Sequence, residues 1–188
     1  NTDDGSCQYA CTAAPYSENF DAGLGTWSQD TGDDFDWILD AAGTPSFNTG
    51  PSDDVTGGGN YLFTESSGNY LQAAGFTSEC FDISALANPC FSFNYHMFGA
   101  AMGTLDVYVN GNLEWSQSGD QGDQWNYAQV SLSAYAGTDV TIQFVGTTGT
   151  SFTSDMAVDL LCFMEAPLSG CMDPFADNYD PSATIDDG

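Results

Sequence analysis

The sequence predicts an all-β sandwich, and three observations carry that reading. Apolar and polar residues alternate with period two over Phe91-Ser92-Phe93-Asn94-Tyr95-His96-Met97 and again over Leu105-Asp106-Val107-Tyr108-Val109, the pattern of strands with one buried face. Clusters of Gly, Asn, Asp and Ser punctuate the chain, and no window sustains the period of an amphipathic helix. The 188 residues, 41% of them hydrophobic, suffice for one sandwich core plus a small appendage.

Taken along the chain, strands are expected at Tyr16–Phe20, Asp36–Asp40, Tyr61–Glu65 and Asn69–Ala74, and then at the two alternating segments above. Asn110-Gly111 follows the second of these and offers both positive-φ positions of a type I′ hairpin turn. The return strand is Leu113–Gln117, and Tyr127–Leu132, Val140–Val145 and Met156–Phe163 complete the set. Many short strands separated by turn signals indicate a jelly-roll β-sandwich. Three zones result: residues 1–12, polar, acidic and cysteine-bearing; residues 13–166, carrying the strands; and residues 167–188, an acidic, Asn/Asp/Pro-rich stretch after Ala166-Pro167.

Charge restricts function sharply. The chain has 27 Asp and Glu, one His and no Lys or Arg, for a net charge of −27. No carboxylate can pair with a basic side chain of the Lys or Arg kind. Nucleic acid is excluded as a partner, since phosphate neutralisation needs a basic footprint, and anionic membrane surfaces are excluded likewise. No apolar run is long enough to span a bilayer, so membrane insertion is not expected. Such a chain repels itself unless salt or bound cations compensate. It also presents no cleavage site to trypsin-like proteases, which suits an extracellular location. The opening Asn1-Thr2-Asp3-Asp4 has no signal-peptide character and reads as a mature fragment.

Cysteines 7, 11, 80, 90, 162 and 171 form an even set without a CxxC pair. Zinc needs clustered thiolates or imidazoles, so disulfides in an oxidising compartment are expected. Cys80 and Cys90 bracket a short Pro-containing link, and Cys11 and Cys162 flank the first and last strands; these are the expected pairs.

Several segments resemble one family in collinear order. They are Tyr16-Ser17-Glu18-Asn19-Phe20-Asp21 with Gly25-Thr26-Trp27-Ser28-Gln29-Asp30, then Asp33-Asp34-Phe35-Asp36-Trp37, with Pro45 and Gly50-Pro51 downstream. Phe93-Asn94-Tyr95-His96-Met97-Phe98-Gly99 and Met102-Gly103-Thr104-Leu105 follow, then Trp115 to Gly122 with Trp125, Phe144-Val145-Gly146, and Ser154-Asp155-Met156-Ala157-Val158-Asp159. This set resembles a MAM domain, the jelly-roll module of meprins, neuropilins, receptor phosphatases and bacterial surface proteins. The resemblance implies an extracellular adhesive or assembly role without catalysis. The sequence departs from the family in lacking the early Cys pair near the first Trp and in reading Asp159-Leu160 where an acidic pair is usual. The end, Gly170-Cys171-Met172-Asp173-Pro174-Phe175-Ala176-Asp177-Asn178-Tyr179-Asp180 and onward, resembles an Asp-rich, Cys-bounded repeat of bacterial surface proteins and, more distantly, thrombospondin type 3 calcium repeats.

Hard oxygen ligands in these positions suit Ca2+. Asp21, Asp155 and Asp159 stand near the first and last strands, which a jelly roll brings together. Asp173, Asp177, Asn178, Asp180, Asp186 and Asp187 form a denser set, and Asp3 and Asp4 open the chain with the same motif. Asp33, Asp34 and Asp36 read instead as residues that cap or line a loop. His96, the only imidazole, reads as a hydrogen-bonded strand histidine and not as part of a Ser–His–Asp set. Carboxylate pairs for glycoside hydrolysis can be drawn anywhere among so many acids and carry no information. Gly57-Gly58-Gly59, with no Lys after it, reads as a flexible loop and not as a phosphate cradle. Trp27, Trp37, Trp115 and Trp125 read as core.

The sequence thus points to a non-catalytic, calcium-stabilised extracellular module that is structural or adhesive. The alternative is a calcium-dependent glycan-binding module, marked by an exposed aromatic platform beside an acidic pocket. Overlaying Asp186-Asp187-Gly188 on Asp3-Asp4-Gly5 gives a period of 183 residues. Neighbouring copies of the chain are therefore expected partners in a tandem or head-to-tail array, with Cys171 bonded to the next unit's equivalent of Cys7. A cell-surface protein or glycan is the other expected partner.

Overall fold

The computed structural model of the protein describes residues 10–172, 174, 176 and 181–186. Asp3, Asp4, Asp173, Asp177, Asn178, Asp180 and Asp187, all expected calcium ligands, lie outside the described residues, as does Cys7.

Strands run in chain order as β1 (Thr12–Ala13), β2 (Tyr16–Glu18), β3 (Trp27–Gln29), β4 (Ile38–Asp40), β5 (Tyr61–Phe63), β6 (Ala73–Ser78), β7 (Phe81–Asp82) and β8 (Pro89–Met97). They continue as β9 (Thr104–Val109), β10 (Asn112–Ser118), β11 (Asn126–Ser131), β12 (Asp139–Val140), β13 (Ile142–Thr147), β14 (Met156–Glu165), β15 (Ser169–Gly170) and β16 (Ile185–Asp186). One sheet has five strands in the order β10-β9-β13-β6-β3, and the other follows the path β11-β8-β14-β5-β4, with β2 also on β14. The short strands β1, β7 and β12 form a small third sheet, and β15 pairs with β16 in parallel.

Alternation builds the core. On β8, Phe91, Phe93, Tyr95 and Met97 face inward to Phe76, Phe144, Trp27 and Phe163 in one apolar cluster. Phe76 stacks on Phe144 with ring centroids 5.0 Å apart, and Phe93 meets Phe144 edge-on at the same separation. Trp37 enters that core and donates its indole N–H to Ala74 O at 2.9 Å. The hairpin between β9 and β10 turns on Asn110 and Gly111, both left-handed at φ 49° and 79°, as the Asn-Gly pair requires. With Trp115 packed against the main core and Trp125 against a smaller cluster of Tyr61, Phe63 and Ala157, all four tryptophans serve packing.

Two expectations need correction, and one strand was not foreseen. The strand expected at Asn69–Ala74 begins only at Ala73, because Leu71 sits in the left-handed region at φ 57° and turns its side chain out. Trp27–Gln29 forms a strand that its few residues did not announce. Cys80 bonds neither Cys90 nor any other late cysteine; it bonds Cys11, with Cα atoms 4.9 Å apart. The reason is the parallel pairing of β1 with β7, which sets Cys11 and Cys80 side by side. Cys90 and Cys162 stand on the neighbouring strands β8 and β14 as free thiols.

Candidate functional site

The topology creates one special corner. Along one edge, β14 pairs first with β5 through Ala157 and Val158, then with β2 through Leu161 to Phe163. Between those partners a bulge at Asp159–Cys162 shifts the register against β8 by one residue, the usual way a strand re-aims side chains. Leu160 takes the positive φ of 49°, and Asp159 is left buried at the exchange of strands.

Two loops close over Asp159. The chain leaving β2 brings Asp21, whose Oδ1 accepts the Asn60 N–H at 2.9 Å. The loop before β5 brings Asp54, which accepts the Thr56 hydroxyl at 2.5 Å and the Gly58 N–H at 2.7 Å. Gly57-Gly58-Gly59 is therefore no slack loop; its backbone wraps a carboxylate. Both acids crowd Gly59, where a Cβ would run into Asp21 Oδ1 and lie 2.7 Å from Asp54 Oδ2. Asp159 itself accepts from Val55 N at 3.2 Å and Leu160 N at 2.7 Å.

The electrostatics are lopsided. Burial pushes the Asp159 carboxyl up to about 6, opposed by the two backbone donors and assisted by the charges of Asp54 and Asp21. Asp54 goes the other way: burial works against it, yet the Thr56 hydroxyl and the N–H groups of Gly59, Thr56 and Gly58 hold it well below the usual carboxylate range. Three carboxyl groups thus converge in a chain with no Lys or Arg to compensate them. Each carboxylate retains lone pairs beyond its hydrogen bonds, but Asp21, Asp54 and Asp159 do not set three oxygens within 4.8 Å of one another.

Of the sequence-derived ligands, the fold brings Asp21 and Asp159 together and leaves Asp155 out. Asp155 lies four residues earlier along the same strand direction, roughly 13 Å away at strand rise. There its Oδ1 accepts the Ser66 N–H at 2.9 Å and the Ser66 hydroxyl at 2.7 Å, while its buried Oδ2 has no partner among the described residues. Asp186 enters as the backbone of β16. Asp54 was missed; an Asp pair four residues ahead of a Gly triplet was the available signal. Asp33 and Asp34 cap β6 by accepting Gly75 N and Ala73 N at 2.7 and 2.9 Å, as the loop-lining reading holds. Cys11, Cys80 and Asp139 also lie together, but the two sulfurs are spent on the disulfide.

His96 is buried on the outer side of β8. Its Nε2 lies 3.3 Å from an Asp123 carboxylate oxygen, a contact that is an ion pair only when the imidazole is protonated, and its Nδ1 has no partner among the described residues. Burial lowers its pKa, against the raising influence of Asp123 and Asp120. Among the described residues no hydroxyl is hydrogen-bonded to the imidazole. The surface clefts formed by described residues include two of note. The larger, about 410 Å³, runs beside the β14 bulge between Glu18 and Cys162. The other, about 300 Å³, lies between the 43–52 loop, Phe98 and Asp123.

Among solved structures, the K1 cleaved adhesin domain of Lys-gingipain from Porphyromonas gingivalis shares the fold, with a TM-score of 0.59 at 16% identity, covering 81% of this chain and 99% of that one. A xylan-binding domain of carbohydrate-binding module family 22 does so with a TM-score of 0.50 at 15% identity, covering 80% and 94%. Human MAM domain-containing glycosylphosphatidylinositol anchor protein 2 is 33% identical over 81% of this chain, which spans only 18% of that protein's length. Thyroid hormone-induced protein B of Xenopus laevis is 32% identical over 72% of this chain and 21% of its own length. Residues 19–167 match the family described as MAM domain, meprin/A5/mu, and the chain belongs to that family.

Proposed function

We propose that the chain is a non-catalytic extracellular adhesive module whose strand-exchange corner is held closed by calcium. The observation that carries the reading is that Asp21 and Asp54 bear electrostatically on buried Asp159 at one corner of a molecule with no Lys or Arg. Family membership supports an adhesive or binding role, and the disulfide supports an oxidising, extracellular setting. No helix among the described residues is long and apolar enough to cross a membrane.

In the fuller form of this proposal, copies follow one another in a tandem or head-to-tail array. Cys171 carries a free thiol at the small β15–β16 element, available to the next unit's Cys7 equivalent, and the acidic residues around it would bind further calcium. Net charge of −27 per copy makes cations necessary for such units to approach. Beads coated with the protein should cluster in calcium and disperse in chelator at constant ionic strength. Failure to cluster in either condition, with the protein folded, would sink the adhesive reading.

A further inference from the structure

The cleft between the 43–52 loop and Asp123 has a construction that packing alone does not explain. Its loop is folded onto itself and onto the sandwich. Thr44 N–H donates to Pro51 O at 3.3 Å, the Thr44 hydroxyl to Thr49 O at 3.0 Å, and Gly50 N–H to Phe98 O at 3.2 Å. Asp155 N–H donates to the Thr49 hydroxyl at 2.8 Å from behind. Gly50 sits at φ 63°, and a Cβ there would come within 2.5 Å of Thr44 Oγ1. The wall is therefore preformed, which lowers the ordering cost of binding.

Half of the ten lining residues carry side chains that both donate and accept, Ser52 among them. Thr44, Ser46, Asn48 and Thr49 supply hydroxyl and amide groups, Phe98 supplies one apolar wall, and Asp123 supplies the only charge. The Asp123 side chain is 66% exposed and is steadied by His96 Nε2. Between Ser46 and Asn48 stands Phe47, 74% exposed, its ring centroid 5.7 Å from that of Phe152. Phe47 does not itself line the cleft, but it is carried between two residues that do, and an exposed aromatic ring on such a loop offers a flat apolar surface close to hydrogen-bonding groups.

From this arrangement we infer that the cleft binds a neutral saccharide, with one sugar face stacked on Phe47 and its hydroxyls bonded to the 44–49 loop and Asp123. The alternatives fail on chemistry. Phosphate, sulfate and uronate groups would meet a carboxylate in a chain without Lys or Arg. An apolar peptide side chain would find only Phe98 and Pro51 among mostly polar neighbours, and a bare cation would make no use of Phe47. At about 300 Å³ the cleft stands at the small end of ligand sites, room for the end of a glycan and not for its length. The inference rests on reading the chain as a binding module, and it specifies what one surface of that module takes.

The test is calorimetric titration of the whole chain, in calcium, with neutral gluco-, galacto-, manno- and xylo-oligosaccharides and with uronate-containing counterparts. At least one neutral series should bind and no acidic series should bind better. Phe47→Ala and Asp123→Ala should each weaken binding about 10-fold, the scale of one lost ring contact or charged hydrogen bond. Tyr127→Ala, which removes another exposed aromatic on β11, should leave binding unchanged. Both cleft side chains are exposed, so unaltered melting temperatures would confirm that the variants fold. Absence of binding by every neutral series, preference for acidic sugars, or indifference to Phe47→Ala would overturn the inference. Bead clustering is read in parallel: clustering that persists in Phe47→Ala while no sugar binds removes the cleft and leaves the adhesive role standing.

Discussion

Asp159 provides the sharpest test of the cation corner, because its sign of pH dependence is unusual for a carboxylate. Its folded pKa of about 6 stands above the ordinary value of 3.8, so between those values the folded state holds more protons than the unfolded one. Stability from this group is complete below pH ~4 and is lost as pH rises through about 6. Integrating that linkage from pH 5 to pH 7.5 gives a loss of about 1.4 kcal/mol, or a fall in melting temperature of roughly 3–6 °C for a domain of this size. Buried Asp155, also raised by desolvation, adds in the same direction. His96, lowered by burial, works oppositely, gaining stability as pH rises toward its unfolded value near 6.5. The comparison that isolates Asp159 is therefore wild type against Asp159→Asn, in chelator, by calorimetry across that pH range. Wild type should fall by the stated amount more than the variant. In calcium the extra fall should vanish, since the bound cation displaces the proton and keeps the carboxyl ionised. Parallel pH profiles for the two proteins in chelator, or a calcium-independent difference, would refute the assignment of these three acids to one site.

Other expectations follow from single contacts. Calcium at a hundredfold excess over its Kd should stabilise wild type by about 2.7 kcal/mol, read as a rise in melting midpoint over chelator at equal ionic strength; equal midpoints would contradict it. Gly59→Ala should abolish most of that rise, because its Cβ would displace the Asp21 and Asp54 oxygens. Replacing Cys11 and Cys80 together by Ala should cost about 4 kcal/mol on the chain-entropy account of a loop spanning 69 positions, and peptide mapping without reduction should recover this pair joined. Phe76→Ala should cost about 3–5 kcal/mol in denaturant unfolding, since its fully buried ring stacks on Phe144 and meets Trp27 and Trp37.

The sequence by itself determined the class of fold, because the decisive features are local. Alternation along residues 91–97 commits every second side chain of β8 to the core, and Asn110-Gly111 closes a hairpin through backbone freedom that two residues supply alone. The absence of Lys and Arg likewise needed no coordinates to forbid salt bridges with those side chains. Only the tertiary structure decided which distant groups meet. A one-residue bulge in β14 and the change of partner from β5 to β2 collect Asp21, Asp54 and Asp159 while leaving Asp155 beside Ser66. The pairing of β1 with β7 likewise gives Cys11 to Cys80, and the fold of the 43–52 loop brings Asp123 across from Thr44 and Ser46. Spacing along a chain constrains such meetings weakly, since closing a long loop costs little more than closing a short one. Strand pairing and register, fixed by how the two sheets bury their faces, select among them.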